Sequence, residues 1–158
     1  MRKLFAFLLA ALLVIGLAVI PAVAHNTAYN AKDTMGNILV PVFNNAGATI
    51  DAGDVVVWQI GSSTGNDDAY VTTTTTSDTG IVAGVVWPAG ISDQSVGSIA
   101  IWGKVQCDIA GTGVGVNGPL CTSGTAGGGQ ACADNAIAYG VATVDAGAGT
   151  QADCFVNP

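Results

Sequence analysis

The chain has 158 residues, half of them hydrophobic, with only 9% charged and 22 glycines. Its 11 acidic residues are all aspartate and face 4 basic ones, for a formal net charge of −7. That composition excludes a helical bundle, which needs Glu, Lys, Leu and Arg, a nucleic-acid binder, which needs a basic patch, and charge-driven disorder, which is poor in apolar residues.

Residues 1–24 read as an export signal. Arg2 and Lys3 precede the apolar run Leu4–Ile20, Pro21 breaks it, and Ala22-Val23-Ala24 gives a small-x-small cleavage pattern. An uncleaved anchor is the alternative reading, because the run lies at the lower limit for spanning a bilayer. Cleavage leaves Lys32 and Lys104 against all the aspartates, an acidic subunit that stays soluble and repels anionic surfaces. No membrane attachment is expected after cleavage. Residues 25–37 are polar and extended in character, an N-terminal arm suited to reach a neighbour and add a strand to an open edge. Residues 38–158 form a single β domain.

Helix periodicity is absent, whereas strand signals recur between Gly, Asp, Asn and Ser clusters. The expected strands are Ile38–Phe43 with Pro41 marking an edge or bulge, Val55–Ile60, Tyr70–Thr76 with its threonine run, Ile81–Trp87, Ser98–Val105, Ala136–Val144 and Ala152–Val156. This pattern predicts an all-β fold, a small antiparallel β-barrel or sandwich. The 4 cysteines lie late in the chain, at Cys107, Cys121, Cys132 and Cys154. An even number in an exported chain reads as two disulfides. The simplest pairing joins Cys121 to Cys132 across the glycine-rich stretch between them, which leaves Cys107 with Cys154. A thiolate zinc site is the rival reading, disfavoured by the lack of any C-x-x-C pair.

The two halves carry a degenerate repeat. Ile50–Val56 parallels Val116–Cys121, Ala83–Val86 parallels Tyr139–Ala142, and each half ends in a strand, Ser98–Val105 or Ala152–Val156. A pseudo-duplication inside one barrel is expected, since the mature length suits one core. The segments A-G-D-V-V-V at 52–57, A-G-V-V at 83–86, G-V-A-T at 140–143 and A-G-A-G-T at 146–150 resemble phage capsid decoration (cement) proteins. The resemblance implies a small non-enzymatic β-barrel, often trimeric, that clamps neighbouring subunits of a shell. This chain adds an export leader and cysteines to that pattern.

Motifs for chemistry are sparse. His25, the first residue after cleavage, lacks the second histidine a copper brace needs. Gly113-x-Gly115-x-x-Gly118 has dinucleotide-binding spacing, but Pro119 and glycines follow where a helix is required. No nucleophile motif or paired carboxylates stand out, and no catalytic residue or cofactor is expected. Calcium is the most credible ligand, at Asn66, Asp67 and Asp68 or at Asp51 and Asp54, though turn aspartates usually serve the backbone.

The more informative signal is two-sided hydrophobicity. Val55–Ile60 and Ile99–Trp102 are apolar on both faces, where a lone barrel leaves one face to water. Such strands need a second cover, from another sheet or another subunit, and Trp58, Trp87 and Trp102 are candidate interface anchors. The expected function is a structural subunit of an extracellular filament or surface layer, whose partners are copies of itself and a cell surface or glycan. The alternative is a secreted carbohydrate- or ligand-binding β module.

Overall fold

A computed structural model describes residues 31–59, 70–79, 81–134 and 136–158, and among them the regular structure is all β. The strands are β1 (Ala31–Lys32), β2 (Ile38–Asn44), β3 (Val55–Trp58), β4 (Tyr70–Thr72), β5 (Val82–Val86), β6 (Val96–Ile109), β7 (Pro119–Thr122), β8 (Gly129–Ala131), β9 (Gly140–Ala142) and β10 (Thr150–Val156). The leader lies outside the described residues. The described part of the expected arm, 31–37, does not leave the molecule. Ala31 and Lys32 pair antiparallel with Leu39 and Ile38 of the same chain.

The strands close into two circuits. In the first, the order β2-β4-β3-β5-β6 returns to β2 through the β2–β6 pairing. In the second, β6-β10-β9-β7-β8 returns to β6 through a parallel bridge from Ile109 to Gly129. The long strand β6 serves both, its first half in one barrel and its second half in the other. Closure removes the open edges that an isolated sheet presents.

The two circuits are built alike. β2 and β4 are parallel in the first, as β6 and β8 are in the second, and the remaining neighbours are antiparallel in both. The isolated bridge between Ile50 and Ile91 recurs as that between Val114 and Ala146. The Gly53 N–H donates to Val86 O and the Val86 N–H to Asp54 O. Asn117, Ala142 and Gly118 repeat that exchange. The internal repeat therefore makes two barrels that share a strand, not a duplication inside one barrel. The changeover falls at Gly103, whose φ is +117°. Before it β6 pairs with β2, and from it onward with β10.

β-Branched residues fill the first barrel: Val42, Ile50, Val56, Val71, Val86, Ile91 and Ile99 are all buried. The second interior is smaller, with Ala142, Ala152, Cys107 and Cys154 beside Val105, Ile109, Leu120, Tyr139 and Val156. The disulfide joining Cys107 to Cys154 lies in this interior, and a second one ties Cys121 on β7 to Cys132 just after β8. A barrel with little apolar volume gains most from covalent closure.

Several strand expectations shift. The threonine run is strand only through Thr72, and β9 is shorter than Ala136–Val144, while β6 extends well beyond Ser98–Val105. The two-sided hydrophobicity of β3 and β6 also finds its cover inside the chain. Val56 and Ile99 face the first interior, whereas Val55, Val85 and Ala100 are buried together with second-barrel residues.

Candidate interaction surface

The barrels meet along a polar seam. Val55 N–H donates to Gly127 O (2.7 Å) and Asp108 N–H to Gly53 O (3.0 Å). The Thr122 hydroxyl donates to Thr76 O and accepts from the Thr79 N–H. Asp54, in the turn before β3, faces Asp108 across this seam and accepts a bond from the Asp51 N–H (2.9 Å). Burial pushes the Asp54 carboxyl up to about 6, and the neighbouring charges of Asp108 and Asp51 add to the rise, against the Asp51 hydrogen bond. Asp51 and Asp54 thus act on the backbone and on the seam. Among the described residues, no group of three or more His, Cys, Asp or Glu side chains is arranged to hold a metal ion. The other calcium candidates, Asn66, Asp67 and Asp68, lie outside the described residues, as does His25.

The tryptophans take different roles. Trp58 is half-buried against the first core. Trp87 is half-buried too, and its Nε1 donates to Asp33 Oδ2 at 3.2 Å. Asp33 also accepts bonds from the N–H groups of Met35 and Asn37 and from the Asn37 side chain. Burial works to raise the Asp33 carboxyl, yet these hydrogen bonds hold it below the usual range. Trp87 therefore pins the β1–β2 hairpin to the barrel.

Trp102 is 44% exposed and lies edge-on to Phe155, ring centroids 4.9 Å apart. Phe155 continues an outward row across the second barrel. It stands opposite Val141 on β9, and Val141 stands opposite Pro119 on β7. Val141 is 39% exposed, Pro119 is exposed and Phe155 is half-buried. Lys104 stands opposite Phe155 at the end of the row and is paired with Asp153 at 2.9 Å. Sequence reasoning singled out Trp102 but missed its three neighbours. A signal was present: Cys154 must point inward to reach Cys107, so Phe155, next along the strand, must point out.

No family model and no curated protein matches this chain. Among solved structures, it is similar to the N base of the head fiber protein gp8.5 of bacteriophage phi29. The likeness has a TM-score of 0.50 at 18% sequence identity and covers 76% of this chain and 95% of that one. At that identity the likeness concerns the fold. The two disulfides are compatible with an extracellular or virion-associated protein.

Proposed function

We propose that this chain is a non-enzymatic structural subunit, secreted through its leader and built by self-association into an extracellular filament or surface layer. The observation that carries the reading is the uncovered row Trp102, Phe155, Val141 and Pro119 on the second barrel. Contiguous exposed apolar side chains on a soluble domain mark a contact surface. Elsewhere the aspartates outnumber the cations, so like-charged copies repel. At this row the local charges, Lys104 and Asp153, are already paired. The phage fiber base of similar fold lends support from a protein that is itself part of an assembly.

Negative-stain imaging and light scattering of the purified secreted protein test the reading. Ordered polymers or rings are expected, and a monodisperse monomer at high concentration would overturn it. The alternative, a glycan-binding module, draws on Trp102, an exposed ring braced by Phe155. Sugar binding that is lost in Trp102→Ala, by a protein that stays monomeric, would favour the module.

A further inference from the structure

The exposed row of the second barrel has a counterpart in the first. In the first barrel Val55 stands opposite Val85, and Val85 opposite Ala100. In the second, Pro119 stands opposite Val141, and Val141 opposite Phe155. With the two circuits superposed strand for strand, Pro119 takes the place of Val55, Val141 that of Val85 and Phe155 that of Ala100. The first row is wholly buried, because the second barrel covers it. The second row is apolar at these three positions, with Lys104 next in register opposite Phe155, and among the described residues no barrel lies over it.

The covering face can be read by the same register. Asp108 and Gly127 bring the second barrel onto the first at the seam, against Gly53, Asp54 and Val55. Asp108, paired with Gln151, corresponds to Phe43, paired with Val96. Gly127 lies two residues before Gly129, the bridge partner of Ile109, so the matching position in the first barrel immediately precedes Tyr70, which precedes Val71, the partner of Asn44. The first barrel thus carries Phe43 where the second carries Asp108, with Tyr70 beside the position that matches Gly127. These two rings are packed together, centroids 4.9 Å apart, and both are half-buried at the surface.

Resting on the self-association reading above, we infer that copies join head to tail: the Phe43–Tyr70 face of one subunit docks on the Pro119–Val141–Phe155 row of the next, repeating the contact between the barrels within each chain. A heterologous contact of this kind does not close on itself in a pair, and so generates a filament or ring. Each barrel would then meet only its two neighbours, as in repeat proteins. The aspartate pair of the internal seam has no counterpart here, since Phe43 and Gly118 stand in the places of Asp108 and Asp54. No like-charge cost of the kind found at that seam opposes the docking.

Two one-sided variants test the inference. Val141→Asp blocks the row and Phe43→Asp blocks the opposite face. Each alone should raise the concentration needed for polymerisation at least about tenfold, as loss of a central apolar contact does. Mixed in equal amounts, the two should form dimers that grow no further, because each retains one intact face. A variant that polymerises like the wild type, or a mixture that forms no dimer, would overturn head-to-tail docking while leaving self-association standing. A wild-type protein that never assembles would overturn both. If Val141→Asp no longer melts cooperatively, Pro119→Asp at an exposed position of the same row replaces it.

Discussion

Asp54 faces Asp108 across the seam between the barrels, where its burial and the neighbouring negative charge of Asp108 both oppose ionisation of its carboxyl. A carboxyl raised to about 6 when folded favours the native state while protonated. Its contribution is complete below the ordinary carboxylate range and is lost as pH rises through about 6. The wild type should therefore be more stable at pH 5 than at pH 8. Asp54→Asn, which keeps an acceptor for the Asp51 N–H, should gain about 1 kcal/mol at pH 8 and little at pH 5. The full shift would imply more, but the group is half-exposed and solvent screens it. Urea titrations of both proteins at the two pH values measure the difference.

Gly103 marks the point where β6 passes from one barrel to the other. Its φ of +117° suits glycine, and an added Cβ would overlap the Asn37 side chain and lie 2.9 Å from its Cα. Asn37 is 1% exposed and tied to Asp33, so it has no room to withdraw. Gly103→Ala should cost about 2–3 kcal/mol or more, combining backbone strain with a steric clash. Thermal melting will show it as a drop of several degrees. A variant with unchanged stability would mean that the crossover is not held as described.

How much of this was legible beforehand depends on the residues in each strand. β3 and β5 announce themselves because Val55–Val57 and Val85–Val86 are β-branched runs bounded by turns. β8 does not: Gly129, Gln130 and Ala131 carry no strand preference, and only pairing with Leu120–Thr122 makes them a strand. β6 reads as shorter than it is because Gly97 looks like a break before it and the polar Gln106 and Asp108 look like its end, although the expected strand already runs through Gly103, the crossover itself. The repeat was visible at Ala83–Val86 and Tyr139–Ala142, but nothing in composition distinguishes one duplicated barrel from two sharing a strand. The same ambiguity affected the two-sided apolar strands, whose cover is the chain's own second barrel. The exposed row was hidden for a different reason. It is assembled from four strands, β6, β10, β9 and β7, and its members become neighbours only through the fold.

The disulfides should matter unequally. Cys107–Cys154 closes a separation of 47 residues and Cys121–Cys132 one of 11. Chain entropy assigns the first about 4 kcal/mol and the second about 3 kcal/mol. Both staple the second barrel, so mild reduction should loosen it first. Amide exchange after reduction should speed up at Leu120 and Val156 before Val56 and Ile99. Simultaneous loss of protection in both barrels would show that they unfold as one unit.

Tyr139 is 1% exposed, and its hydroxyl has no hydrogen-bond partner among the described residues. Burial makes the hydroxyl harder to ionise, and the negative charge of Asp108 adds to the effect. Removing an unsatisfied buried hydroxyl without changing the ring relieves a desolvation cost of about 1–3 kcal/mol. Tyr139→Phe should therefore leave the protein as stable as the wild type or more so in chemical denaturation. A clear loss of stability would reveal a partner for the hydroxyl, such as a buried water.

Salt should drive assembly rather than oppose it. Beyond the leader, Lys32 and Lys104 are the basic residues set against the chain's 11 aspartates, so free subunits repel over a distance set by ionic strength. That distance shrinks from about 30 Å at 0.01 M to about 8 Å at 0.15 M. The docking row contributes little charge of its own, because Lys104 is paired with Asp153 at its margin. Added salt thus weakens the repulsion more than it weakens the contact, and the apolar part of the contact is insensitive to screening. The concentration at which polymers appear in light scattering should fall as sodium chloride rises over this range. Lys104→Glu leaves Asp153 unpaired beside a second acid at the edge of the row. It should restore repulsion at low salt and approach wild-type behaviour at high salt. Assembly that weakens with added salt would instead point to ion pairs between subunits, and would place the contact away from the Pro119–Val141–Phe155 row.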